Sequence, residues 1–269
     1  MPFPYKTVLI TGATAGIGLA LAERMIGSGI FVIAVGRRQD RLNALVAKHG
    51  ADKVAAEVFD VSDVDAIPEW AKRITATHPS LDSIVLNAGL QRTIDFTRPD
   101  TVSVSSAAFE LRTNYLSPLA TVAAFLPHLT SSPDRPASIV LVSSGLALIP
   151  HPRCPNYCAS KAALHSLAWS LRAQLSASSS PGTHHIRVIE IIPPAVQTEL
   201  HELQPDLVAA GQARIGLPLQ AFADETWALL AADEELDEVV VTAVRDRFSG
   251  IEVEKRKGFE LMKSLLGKG

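Results

Sequence analysis

The chain has 269 residues, of which 47% are hydrophobic and 20% are charged, and its formal net charge is −3. This composition allows a sizeable buried core, and the length is ordinary for one α/β domain. The charge argues against a nucleic-acid-binding surface and against a polybasic membrane patch. No apolar run is long enough to span a bilayer and no leader precedes the first strand, so we expect a cytoplasmic protein with a small-molecule partner.

The chain begins with the pattern of a strand, a glycine-rich turn and a helix. Residues 6–10 have the character of a short buried strand, and residues 17–26 carry apolar side chains on one helical face. Between them, Gly12, Gly16 and Gly18 form a turn from which backbone N–H groups at the helix start can approach a pyrophosphate. We therefore predict a dinucleotide site here, with a plain turn as the alternative.

Apolar strands and amphipathic helices alternate along the rest of the chain. Further strands are predicted at residues 31–35, 53–59, 82–86, 137–142, 186–192 and 239–244. Helices are predicted at residues 62–77, 109–129, 157–175, 221–232 and 252–266, the first of them with Ser62 as its N-cap. This alternation predicts an α/β fold: a Rossmann-type doubly wound parallel sheet with helices on both faces, in a single domain over residues 1–269.

Two segments lack a strong strand pattern. Residues 90–105 have no clear period and are expected to form a loop. Residues 196–222 place leucines among polar residues, which suits an amphipathic lid over a substrate, or alternatively an ordinary surface helix. The leucines favour a substrate with apolar surface, whereas Arg92, His151 and Arg153 near the expected pocket can equally orient an acid group.

Tyr157 and Lys161 stand four residues apart in a segment with helical character. Side chains at this spacing are neighbours on a helix, so the Lys161 ammonium is expected close to the Tyr157 phenol. A fixed positive charge favours the phenolate and lowers a tyrosine pKa that is otherwise near ~10. The pair therefore suits acid–base catalysis at neutral pH, although such pairs also occur by chance on helices.

Several short motifs follow one another in a specific order. They are Thr11-Gly12-Ala13-Thr14-Ala15-Gly16-Ile17-Gly18, Asn87-Ala88-Gly89, Asn114, Ser143-Ser144 and Tyr157 with Lys161. In this order, and over most of the chain up to Thr198, the sequence closely resembles the short-chain dehydrogenase/reductase family. The resemblance implies hydride transfer between a nicotinamide and a carbonyl or secondary alcohol carbon.

The resemblance also implies roles for four catalytic residues. Tyr157 is expected to exchange a proton with the substrate oxygen, and Lys161 to hold the nicotinamide ribose. Ser144, with Ser143 as the fallback, is expected to donate a hydrogen bond to that oxygen. Asn114 is expected to bind a water in a proton relay to the lysine.

A larger set of residues is expected to contact the cofactor. The family pattern implies contacts from the glycine turn, from the residues after the third and fourth strands, from the catalytic helix and from the segment after the sixth strand. These residues are Gly12, Thr14, Gly16, Ile17, Gly18, Asp60, Val61, Asn87, Ala88, Gly89, Tyr157, Lys161, Pro193, Val196 and Thr198. In the last segment Pro193-Pro194 departs from the family, which has a glycine there, so we expect a stiffer loop with one backbone contact fewer.

The second strand ends in Gly36-Arg37-Arg38. Relatives that bind NAD carry an acid at this point for the adenosine ribose, whereas a guanidinium suits a 2′-phosphate. With glycine in place of the acid, we predict NADP(H), with Arg37 as the primary and Arg38 as the secondary contact. NAD(H) remains possible, because Ala15 stands where many NADP enzymes carry a basic residue.

Additional motifs narrow the resemblance. Gln91-Arg92, Ser144-Gly145-Leu146-Ala147, Tyr157-Cys158-Ala159 and the double proline are similar to a subgroup of oxidoreductases named after the bacterial D-alanyl-lipoteichoic-acid operon. Family membership implies a homodimer or homotetramer. Two other functions on the same fold remain open: an NADP-binding redox sensor, and a non-redox catalyst such as a cyclase or isomerase.

The two cysteines flank the tyrosine. With His151 they lack a fourth ligand at a familiar zinc spacing, so we expect no metal site. We interpret Cys154 and Cys158 as packing residues, and so few thiols in a chain of this size indicate a reducing compartment.

Overall fold

The computed structural model describes residues 3–176, 182–232 and 236–266, and within these ranges seven strands form one parallel sheet. The strands are β1 (Thr7–Thr11), β2 (Phe31–Gly36), β3 (Val54–Val58), β4 (Ser83–Leu86), β5 (Ala137–Val142), β6 (Ile186–Ile191) and β7 (Glu238–Val239). Their order across the sheet is β3-β2-β1-β4-β5-β6-β7, so the winding reverses between β1 and β4. In such sheets a ligand crevice opens at the carboxyl ends of the strands beside that reversal. The predicted doubly wound α/β fold is confirmed.

Helices cover both faces of the sheet. The α-helices in the described residues are α1 (Gly16–Gly27), α2 (Gln39–His49), α3 (Ile67–Thr77), α4 (Val104–Leu111), α5 (Ser117–Thr130), α6 (Pro155–Leu175), α7 (Glu199–Glu202), α8 (Pro205–Ala209), α9 (Leu219–Leu230) and α10 (Thr242–Leu266). A π-helical segment, Arg112–Leu116, joins α4 to α5.

The core divides into two layers because successive strand residues point to opposite faces. On one face Val8 and Ile10 pack in the same cluster as residues of α1, α2 and α9. On the other face Leu9 packs in a cluster with residues of α3, α5 and α6. Since both faces are covered, β1 and β5 are buried along their whole length, and their sequences are almost continuously apolar.

Several predicted boundaries were wrong for identifiable reasons. Ser62 does not cap a helix: its backbone N–H and hydroxyl both donate to Asp60 Oδ1, at 3.0 and 2.8 Å, and α3 begins only at Ile67. The last strand was expected over residues 239–244. It pairs with β6 only through Glu238 and Val239, because α10 begins at Thr242.

The helix expected over residues 109–129 begins earlier and is not uniform. Its first part starts at Val104, where the Ser103 hydroxyl accepts a hydrogen bond from the Ser106 N–H at 3.2 Å. Such a cap satisfies one of the donors left open at a helix start. The predicted lid segment likewise contains two short helices, α7 and α8, followed by irregular chain. Among the described residues, no helix has the length and apolar character needed to cross a membrane.

Candidate active site

A cavity of about 810 Å³ opens at the carboxyl ends of the strands. It extends from the end of β2, past the ends of β1, β4 and β5, to the segment that follows β6. Of the predicted site residues, it is lined by Gly12, Thr14, Gly16, Ile17, Arg37, Arg38, Asp60, Val61, Asn87, Ala88, Gly89, Ser144, Tyr157, Lys161, Pro193, Val196 and Thr198. Gly18 and Asn114 are the two predicted residues that do not line the cavity. Gly18 packs against Gly12 and Asn87, and Asn114 bonds Leu90 and Ser160.

The turn between β1 and α1 leaves room for a ligand at the start of the helix. Gly12 has φ of +70°, and a Cβ there would lie 2.9 Å from Asn87 Nδ2, so close packing as well as conformation requires glycine. At Gly18 an added Cβ would collide with Asn87 Nδ2 and the Gly12 carbonyl. No side chain caps α1 and its first turn holds no acidic residue, so its N–H groups can bind an anion.

The loop after β4 is fastened to the same turn. The Thr11 hydroxyl accepts hydrogen bonds from the N–H groups of Asn87 and Ala88, at 3.0 and 3.1 Å. In return, Asn87 Nδ2 donates to the Thr11 carbonyl at 3.0 Å. These bonds fix the end of β1 against the end of β4, so the floor of the cavity is preorganised.

The two arginines after β2 have different partners. Arg38 donates to the Thr14 hydroxyl at 2.9 and 3.1 Å and to Glu199 Oε2 at 2.7 Å. Arg37 is more open, with its side chain 67% exposed and 3.6 Å from Asp60 Oδ2. Arg41 also donates to Glu199, at 2.5 Å, and the hydrogen bonds from Arg38 and Arg41 lower the pKa of this carboxyl.

Sequence reasoning missed Glu199. It lies at the start of α7 and is 161 residues from Arg38 in the chain, and nothing in its neighbourhood indicates a pairing with the residues after β2. In the structure it ties the beginning of the lid segment to the arginines.

Tyr157 is buried in the first turn of α6, with the Ser144 hydroxyl beside its phenol. Burial raises the pKa of Tyr157 well above its usual value, and Ser144 opposes only part of that rise. The Lys161 ammonium lies over the aromatic ring, 5.7 Å from its centroid. The expectation that Lys161 lowers the tyrosine pKa was therefore wrong for this geometry, because desolvation of the phenolate dominates.

The two serines after β5 differ in their surroundings. Ser144 reaches Tyr157, and its hydroxyl accepts a hydrogen bond from the Leu146 N–H at 3.1 Å. Ser143 is turned toward β6, where its hydroxyl contacts the Ile191 carbonyl at 3.4 Å. Of the two, Ser144 is the hydroxyl next to the phenol.

Lys161 is 4% exposed, and its ammonium donates to the Val142 carbonyl at 2.8 Å. Burial lowers the pKa of Lys161 to about 8, and the negative charge of Glu190 opposes this decrease. Glu190 was not among the predicted site residues; it is fully buried in β6 and belongs to a polar cluster with His165 and Glu252. A glutamate among the apolar residues at the end of a strand was the available signal.

Asn114 lies in the π-helical segment and is completely buried. Its Nδ2 donates to the Leu90 carbonyl at 2.8 Å and to Ser160 Oγ at 3.0 Å, while its Oδ1 accepts from the Leu90 N–H at 2.9 Å. The amide therefore fastens the loop after Gly89 to α6. π-Helical turns of this kind occur frequently at functional sites.

Polar contacts join the segment of α7 and α8 to the loop before α6, at the far end of the cavity. Arg153 donates to both carboxylate oxygens of Asp206, at 2.5 and 2.8 Å, and also to Gln204 Oε1. The Thr93 hydroxyl donates to Asp206 at 3.1 Å. The charge of Arg153 is thus neutralised by Asp206. Arg92 donates to Ser106 and does not line the cavity.

The lining beneath the lid is largely apolar. Pro193 and Pro194 both face the cavity, and the Pro193 carbonyl accepts a hydrogen bond from the Gly145 N–H at 2.8 Å, which joins the double proline to the serine loop. Apolar side chains come from the serine loop and the lid. They are Leu146, Ile149, Leu200, Leu203, Leu207 and Ile215. Cys154 and Cys158 are buried free thiols packed beside Tyr157.

Comparisons with known proteins agree with this geometry. A family model described as short chain dehydrogenase matches residues 6–206. The chain is 40% identical over 209 residues to an uncharacterized oxidoreductase, DltE, of Bacillus subtilis, covering 77% of each chain. It is 32% identical over 206 residues to a benzil reductase, (S)-benzoin forming, of Saccharomyces cerevisiae, covering 73% of this chain and 74% of the yeast protein.

Solved structures support the same fold. A short-chain dehydrogenase/reductase from Burkholderia phymatum, in complex with NAD, superposes with a TM-score of 0.78 at 21% identity, covering 95% of this chain and 96% of the other. A short-chain dehydrogenase from Burkholderia cenocepacia, in complex with NADP, gives a TM-score of 0.74 at 24% identity, covering 98% and 99%. From its sequence matches and its fold together, the chain belongs to the short-chain dehydrogenase/reductase family of oxidoreductases.

Proposed function

We propose that the protein is an NADP(H)-dependent oxidoreductase that interconverts a carbonyl compound and a secondary alcohol, with Tyr157 as the acid and base. The observation that carries this proposal is a single cavity with two chemically different ends. Arg37 and Arg38 lie at one end, and Tyr157 lies with Ser144 and Lys161 toward the other. The family relationship supports the same reaction type.

The cavity fits a dinucleotide phosphate in three respects. The uncapped start of α1 offers N–H donors, and Gly12 leaves room beside them. A side chain at Gly36 would meet Thr14 Cγ2 at 2.5 Å, so the carboxylate that would bind a free ribose hydroxyl has no space there. Arg37 keeps an exposed guanidinium at the same place, which favours the 2′-phosphate of NADP(H).

The chain's own residues account for the proton and the orientation. Bound NADPH supplies the hydride. Tyr157 is neutral at physiological pH, as a tyrosine ordinarily is, so its phenol holds a proton that it can donate to the carbonyl oxygen. Ser144, next to the phenol, donates a second hydrogen bond to the oxygen as it gains charge. Lys161 holds the nicotinamide ribose, and Asn114 keeps the neighbouring loop in place.

We further propose that α7 and α8 act as a lid and that the chain folds as one domain. Arg153, Asp206 and Gln204 hold the lid against the loop before α6, and apolar residues lie beneath it. These contacts favour a substrate with apolar surface, since the charge of Arg153, the arginine beside α8, is already paired with Asp206.

The test compares NADPH consumption by the wild type and by Tyr157→Phe over a panel of ketones, aldehydes, diketones and keto acids. Removing the acid should lower kcat by about 10²-fold or more while NADPH still binds. Tyr115→Phe, at a tyrosine outside the cavity lining, is the matched control and should retain full activity. Undiminished turnover by Tyr157→Phe would refute the assignment, and NADPH binding without turnover by the wild type would favour a redox sensor.

A further inference from the structure

A row of buried ionisable side chains connects the active-site lysine to the outside of the molecule. His165 follows Lys161 by one turn of α6. Its Nδ1 contacts both oxygens of Glu190 at 2.9 Å, and its Nε2 contacts Glu252 Oε2 on α10 at 3.0 Å. His165 and Glu190 are completely buried, Glu252 is 7% exposed, and at the surface Lys255 contacts Glu252 at 3.4 Å.

Lys161 stands at the buried end of this row, beside Tyr157. The Lys161 ammonium donates to the Val142 carbonyl, and Val142 pairs in the sheet with Ile191, the residue after Glu190. Lys161 and His165 are four residues apart on α6 and share one helical face, so the Glu190 carboxylate that contacts His165 lies near the ammonium, and its charge raises the pKa of Lys161. The ionised forms alternate in sign from Lys161 to Lys255: positive, negative, positive, negative, positive.

Burying an unpaired charge in a protein core is costly, so each buried charge in this row requires a compensating partner. The Val142 carbonyl gives Lys161 a hydrogen bond but no compensating charge. Glu190 supplies that charge, yet burial raises the pKa of Glu190 and the charge of Glu238 adds to the rise. The His165 imidazolium lowers the pKa of Glu190 and so opposes this rise. Glu190 in turn raises the pKa of His165, whereas burial and the charge of Lys255 lower it.

We propose that Glu190 is the counter-ion of the Lys161 ammonium, and that His165 and Glu252 are positioning residues that keep Glu190 ionised. The inference rests on the proposed function, since it concerns the lysine that holds the cofactor beside Tyr157. It extends the catalytic apparatus to α10, which lies beyond the residues matched by the family model.

The principal test is the pH profile of kcat/KM for NADPH-dependent reduction by Glu190→Gln. The wild type should lose activity on the alkaline side near pH 8, where Lys161 loses its proton. Without the opposing carboxylate, desolvation lowers the Lys161 pKa further, so the alkaline limb should move down by about one unit, with about fivefold lower activity than the wild type at pH 8. Glu252→Gln should move the limb in the same direction by a smaller amount.

Two controls separate this role from a merely structural one. Glu254→Gln removes an exposed carboxylate from the same helix and should leave the pH limb unchanged. A Glu190→Gln protein that melts at a lower temperature but keeps the wild-type limb would overturn the inference. If Glu190→Gln does not fold, a wild-type limb in Glu252→Gln would overturn it equally.

NADPH affinity, measured by fluorescence across the same pH range, gives a readout that does not need turnover. Affinity in Glu190→Gln should fall at a lower pH than in the wild type, because Lys161 is proposed to hold the ribose. Equal pH dependence in the two proteins would count against Glu190 even if no carbonyl substrate is found. A wild type that neither binds NADPH nor reduces any carbonyl would overturn the proposed function itself.

Discussion

Tyr157 keeps its phenolic proton at neutral pH and is buried in the cavity lining, and the neighbouring Ser144 defines where the accepting oxygen must lie. The Lys161 ammonium lies over the Tyr157 ring, 5.7 Å from its centroid, and donates to the Val142 carbonyl. The types and spacing of these residues were predictable from the sequence. Their ionisation was not, because it depends on burial by distant parts of the chain.

The preference for NADPH over NADH is expected to depend on a single residue, Arg37. Arg37→Ala should weaken NADPH binding by about tenfold or more and leave NADH binding nearly unchanged, because only NADPH carries the phosphate that a guanidinium can bind. Isothermal titration with both cofactors measures this difference. Arg98→Ala, at an exposed arginine paired with Asp95, serves as the control. Equal loss for NADPH and NADH would contradict the assignment of Arg37 to the 2′-phosphate.

At the scale of elements, the sheet was far more predictable than the lid. β5 covers the residues expected for it, because a strand buried on both faces is a continuous apolar run that is visible in the sequence. α7 and α8 depend instead on pairs that are remote in the chain, such as Glu199 with Arg38 and Asp206 with Arg153. No local pattern specifies which exposed acid meets which arginine, so these contacts become visible only in the folded molecule.

The bond between α8 and the loop before α6 should control substrate binding. Asp206→Asn weakens the pairing with Arg153, so we expect KM for the carbonyl substrate to rise by about two- to fivefold with little change in kcat. Hydrogen bonding to Arg153 lowers the pKa of Asp206 to about 2. The contribution of the pair to stability is therefore present above the ordinary aspartate pKa and is lost as the pH falls through about 2.

Steady-state kinetics on Asp206→Asn and on a matched control measure this effect. Asp224→Asn alters another exposed carboxylate that binds an arginine, Arg24, but it does so outside the cavity lining. Its KM should equal that of the wild type. An unchanged KM in Asp206→Asn as well would show that this contact does not hold a lid.

At the scale of the whole molecule, the strand order brings the separate motifs into one cavity. The reversal between β1 and β4 opens the crevice, β2 places the arginines at one side, and β5 with β6 places Ser144 and Pro193 at the other. An elongated dinucleotide can bind across such an edge with its reactive end beside Tyr157. The C-terminal helix α10 contacts His165 of the catalytic helix α6 through Glu252.

The most direct test of the account is to follow the transferred hydrogen. NADPH carrying deuterium at the reactive position of the nicotinamide is incubated with wild-type protein and an active carbonyl from the panel, and the alcohol is examined by mass spectrometry and NMR. We predict one deuterium on the new carbinol carbon in the wild type, with product formation reduced by about 10²-fold or more in Tyr157→Phe. Product without deuterium, or equal product formation by the variant, would contradict the central claim.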